Sequence, residues 1–142
     1  MAPTAEQMTQ HLMTLFPGLL GVEIVTVTPD RIVGRMLVRA ELSTVGATLH
    51  GGAYMAFADT LGAIATVVNL PPGARTTTLE SKTNFIGAAP VGTTVIGETT
   101  AFHKGRTTHV WQTQIKSEAG KLLAVVTQTQ MILPAANERK TT

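Results

Sequence analysis

The sequence predicts an α+β fold: a curved antiparallel sheet of about six strands wrapped around one long apolar helix, with a short helix at the N-terminus. Three observations carry this reading. From His50 to Asn69 the chain is apolar, small and rich in alanine, with Asp59 as its one formal charge. That length and composition favour a helix over a strand. Around it lie β-branched runs broken by Gly and Pro turns, two before the helix and four after it.

In chain order, residues 4–16 place Met8, Leu12, Leu15 and Phe16 at helical spacing, with Thr4 as N-cap and Pro17-Gly18 as the stop. Gly21 to Thr28 reads as a strand, Pro29-Asp30 as a turn, and Arg31 to Ala40 as the second arm of a hairpin. Arg31, Arg35 and Arg39 fall on one side of that arm, which reads as a solvated or interfacial face. Residues 41–49, with Ser43, Thr44 and Gly46, connect to the long helix, which Asn69 and Pro71-Pro72-Gly73 close. Four strands are expected at about 75–86, 92–103, 106–117 and 121–133. Turns lie at Gly87 to Gly92, His103-Lys104-Gly105 and Glu118-Ala119-Gly120. Residues 134–142 are polar and expected to fray. The 142 residues read as one domain.

Composition narrows the function. Charged residues make up 14% of the chain, against about 25% in an ordinary domain. Such a chain is expected to cover part of its surface with copies of itself. The net charge of +2 and the 4% aromatic content do not suit a nucleic-acid binder. Residues 1–73 carry three basic and five acidic side chains, and residues 74–133 six and three, so the second half offers either a small anion site or a solvated strand face. There is no cysteine, hence no thiol nucleophile, disulfide or Cys metal site. Neither a signal peptide nor an apolar run long enough to span a membrane is visible, and the expectation is a cytoplasmic protein.

The chemistry concentrates on the long helix. Asp59 has no Lys or Arg three or four positions away. A helix apolar on nearly every face is expected to be buried all round, which makes an unpaired carboxylate costly and a candidate base or nucleophile. A satisfied buried Asp is the plainer alternative. Gly51 and Gly52 stand where helix N–H groups are unpartnered, and they suit either polarisation of a substrate carbonyl or close packing. His50 suits either a substrate contact or a helix cap. Eight residues separate Gly51 from Asp59, about 12 Å of helix rise. One carbonyl carbon cannot touch both within a single helix. If both act, they come from different subunits, with two such helices antiparallel across a dimer interface. His11, His103 and His109 show no ligand spacing, so no metal site is expected. No Gly-x-Ser-x-Gly elbow is present.

His50-Gly51-Gly52, followed by Asp59 within Ala-Asp-Thr, resembles the signature of hotdog-fold acyl-CoA thioesterases. The likeness is greatest to the phenylacetate-degradation and 4-hydroxybenzoyl-CoA thioesterase type. It runs from about Leu20 to Leu133 and includes the stretch 84–92, Gly105-Arg106 and 120–124. The resemblance implies a hotdog fold working as a homodimer and usually a homotetramer. It implies that Asp59 is the base or nucleophile and that the Gly51 amide of the partner subunit polarises the thioester carbonyl. Thr78, with Thr77 as the fallback, would hold the attacking water. Lys104, Gly105, Arg106 and Lys82 would meet the CoA phosphates. Tyr54 and Phe57 would shape the acyl pocket, Phe57 more as core. The CoA thioester is then the substrate and no cofactor is needed. Many relatives carry Asn or Gln where this chain has Thr44, which weakens the expected hold on water and substrate. The competing readings are a hydratase or dehydratase of acyl thioesters and a non-catalytic acyl-CoA-binding module.

Overall fold

A computed structural model describes residues 3–136, so the end of the expected frayed tail lies outside the described residues. The elements are α1 (Ala5–Leu12), α2 (Phe16–Leu19), β1 (Glu23–Val27), β2 (Arg31–Leu37), β3 (Ser43–Thr44), β4 (Thr48–Leu49), α3 (Gly51–Val67), β5 (Arg75–Phe85), β6 (Thr94–Lys104), β7 (Thr108–Ser117) and β8 (Leu122–Leu133). Six of the strands form one sheet in the order β1-β2-β6-β7-β8-β5, every neighbouring pair antiparallel. α3 lies against the inner face of that sheet. This is the hotdog-type α+β fold that the sequence predicts.

The seat of α3 is cut by two glycines. Gly34 and Gly97 are register partners across β2 and β6. A Cβ on Gly34 would stand 2.7 Å from Leu61, and one on Gly97 3.0 Å from Phe57. The helix packs two fully buried side chains, Phe57 and Leu61, into the space those missing methyl groups leave.

Five readings are corrected by the structure. The first helix keeps its Thr4 cap, in a reciprocal box with Gln7, but stops at Leu12. Pro17 sits inside α2 near its start, because a residue without an N–H suits a first turn; it opens a helix and does not close one. β2 ends at Leu37, so Arg39 lies beyond the strand and donates to the Leu19 carbonyl at 2.6 Å, while Arg31 and Arg35 pair with Glu98 and Glu23. His103 and Lys104 belong to β6 and the turn falls after them. Finally, α3 is not buried all round. Gly52, Met55, Ala56, Asp59, Thr60, Ala63 and Val67 form a half-buried to exposed stripe, since the sheet covers one side and α1–α2 only part of the other.

Candidate active site

The N-terminus of α3 is built by His50. Its backbone is extended (φ −65°, ψ 140°), and its Nδ1 accepts the Gly52 N–H at 2.8 Å, so the imidazole caps the helix. The His50 carbonyl accepts the N–H groups of Ala53 and Tyr54. Among the described residues, the Gly51 N–H has no hydrogen-bond partner. It stands where the helix dipole concentrates positive charge. The Phe85 ring lies so close over Gly51 that a Cβ there would be 3.2 Å from it. Tyr54 packs edge-on against Phe85, and its hydroxyl donates to the Gly87 carbonyl at 3.1 Å. Burial pushes the Tyr54 phenol up, which keeps it a donor. Gly51, Tyr54 and the segment 85–88 line an open cleft of about 400 Å³.

Two turns along the helix stands Asp59, half-buried and not in the dry interior its neighbours suggest. Its Oδ1 accepts the Thr78 hydroxyl at 2.7 Å and the Gln128 side-chain amide at 3.0 Å. Gln130 Nε2 lies 2.7 Å from Thr78 Oγ1, and Thr76 Oγ1 lies 3.0 Å from Gln130 Oε1. The sheet accounts for the grouping. β5 shifts register between Thr78 and Glu80, so Thr76 and Thr78 face inward before the bulge and Ser81 and Thr83 after it. Thr78 and Gln130 are direct partners across β5 and β8, as are Ser81 and Gln128. Asp59 also lines an apolar groove of about 470 Å³ between α3 and α1–α2, walled by Met8, Leu12, Phe16 and Ile64, with His11 at its edge.

The expected residues thus fall into separate groups. His50, Gly51, Gly52 and Tyr54 gather at the helix start. Asp59 and Thr78 meet directly, whereas Thr77 is exposed on the opposite face of β5. Thr44 is exposed in the small hairpin before His50, pairing with Thr48. Lys82 points outward and donates to Asn84. Lys104 bridges to Asp30 at 2.6 Å and also reaches the Pro29 carbonyl, which Asn69 caps from the end of α3. With Gly105 and Arg106 it therefore lies at the end of the helix opposite Gly51. Phe57 is core. Among the described residues no cluster of three His, Asp or Glu suits a metal. Gln128 and Gln130 were not anticipated; the available signal was a pair of amides two apart in a strand, both on one face.

Residues 46–124 match the sequence model of a family described as Thioesterase superfamily. In structure, the chain is similar to a thioesterase of Haemophilus influenzae, with 28% identity, 96% of this chain and 94% of that one covered, and a TM-score of 0.90. It is similar to a mutant phenylacetic acid degradation protein of Thermus thermophilus, with 27% identity, 82% and 96% covered, and a TM-score of 0.75. In sequence it is 28% identical over 106 residues to the 1,4-dihydroxy-2-naphthoyl-CoA hydrolase of Listeria monocytogenes, covering 75% of this chain and 85% of that one. A Vibrio cholerae protein provisionally named an esterase is 36% identical over 77 residues, which span about half of that protein, 51%.

Proposed function

The chain belongs to the thioesterase superfamily, and on that premise we propose that it hydrolyses an acyl-CoA thioester to a carboxylic acid and free CoA. The observation that carries this is the Asp59 carboxylate, held on one oxygen by Thr78 and Gln128 beside an apolar groove. Asp59 acts as a general base: it takes a proton from water as the water oxygen bonds to the thioester carbon. The carbonyl oxygen, gaining negative charge, is met by the unpartnered Gly51 N–H of the partner subunit. The C–S bond then breaks and CoA leaves as the thiol, taking the proton. Nucleophilic attack by Asp59 itself gives the same products through an anhydride. The active unit is a homodimer, further assembled as a homotetramer, working in the cytoplasm without a cofactor.

The acyl group is small and aromatic or of medium chain length. The groove's size and its Met, Leu, Phe and Ile walls support this, as do the aromatic substrates and pathway that the names of two relatives carry. Thr44, the departure from the Asn or Gln of many relatives, favours acyl-CoA binding without turnover as the second reading.

Release of free thiol from aromatic and straight-chain acyl-CoAs, by wild type and Asp59→Asn side by side, separates these. The expected result is turnover of an aromatic or medium-chain thioester, lowered about 10²–10⁴-fold in the variant. Retained turnover in Asp59→Asn would remove Asp59 from the chemistry. Binding of CoA esters without thiol release would establish the binding module, and loss of enoyl absorbance without thiol release a hydratase.

A further inference from the structure

We propose that Gln128 and Gln130 are positioning residues that fix the direction of hydrogen bonding at Asp59, a relay that rests on the hydrolase reading of the site. Both side chains are fully buried on the inner face of β8, where alternation calls for apolar residues such as Ala124 and Val126. Asp59 sets the polarity of the whole chain. An ionised carboxylate only accepts, so Gln128 must turn its NH₂ toward Oδ1 and Thr78 must spend its one proton there. The Thr78 oxygen is then free to accept, and Gln130 must offer it N–H, which turns the Gln130 carbonyl toward the Thr76 hydroxyl. One carboxylate oxygen is loaded by two donors. The other, Oδ2, has no partner among the described residues and is left to take the proton of water.

Two costs mark the arrangement as built. Among the described residues, Gln128 Oε1 is buried with no hydrogen-bond partner, and so is the hydroxyl of Ser81, its register partner on β5. In addition, the Gln128 amide lies where a Cβ on residue 62 would stand; any residue but glycine there pushes the amide aside. Gly62 is one turn beyond Asp59 on α3, so the gap in the helix and the amide that fills it serve the same carboxylate.

The test is a set of variants of the full chain: Gln128→Met, Gln130→Met, Thr78→Val, Gly62→Ala, and Thr78→Val with Gln130→Met. Gln128→Met and Gly62→Ala each lower kcat about tenfold with KM unchanged, the loss of one charge-assisted hydrogen bond. Gly62→Ala does so with both glutamines in place. Gln130→Met lowers kcat in the wild-type background and adds nothing to Thr78→Val, because it acts through that hydroxyl. Additive losses, or a rise in KM with kcat held, would overturn the relay. A second readout needs no turnover: the side-chain amide protons of Gln128 resonate downfield in the wild type and move upfield in Asp59→Asn. An unmoved signal overturns the relay even in an active enzyme. A wild type that releases no thiol overturns the hydrolase reading instead, and the amide signal still decides whether the relay exists.

Discussion

Asp59, the one charge in an apolar helix, is held from two strands at once, by Thr78 of β5 and Gln128 of β8. Gln128 and Gln130 become visible only once β5 is paired with β8 and the bulge after Thr78 sets which of its residues face inward. The same bulge decides between Thr78 and Thr77. Thr78→Val is expected to lower kcat about tenfold and Thr78→Ser to retain most of it, while Thr77→Val, on the exposed face, leaves turnover unchanged; thiol release checks all three, and equal losses at 77 and 78 would break the assignment. His109 gives a pH dependence. It is 4% exposed, and among the described residues its Nδ1 has no partner. Burial, then Lys104 and His103, hold its pKa below the ordinary 6.5. As pH falls below 6.5 the unfolded chain binds the proton first, so the fold loses stability until the buried ring itself protonates. Melting curves across that acid window should show Tm falling with pH, and His109→Leu should flatten the slope.

At the scale of elements, the count and order of the major strands and the long helix followed from periodicity and turn residues. The breaks were harder to place, since Pro17 reads equally as a stop or as a first-turn residue until the chain direction around it is known. The two-residue strands β3 and β4 leave no periodic trace at all. The start of α3 carries its own prediction. His50 is the cap, so His50→Ala should cost about 1 kcal/mol of stability and His50→Asn much less, by denaturant unfolding. The glycine pair under the helix carries another: Gly97→Ala forces a methyl against Phe57 and Leu61 and should destabilise by about 1–3 kcal/mol.

For the whole molecule, the shortage of charge and the small-residue stripe on α3 point the same way. Gly52, Met55, Ala56, Thr60, Ala63 and Val67 stand partly open around Asp59 in one chain, and a second α3 laid antiparallel across them would bring its Gly51 toward this Asp59. The most direct measurement is thiol release by mixed oligomers made by co-expressing Asp59→Asn with Gly51→Pro. Proline removes the Gly51 N–H at a first-turn position, the extended backbone of His50 suits a following proline, and the half-exposed Phe85 ring has room to yield to the added ring. Each variant alone is inactive, and random mixing restores about a quarter of wild-type activity, because half the dimers hold one site with both groups intact. Mixed oligomers as inactive as their parents would contradict a site shared between two chains.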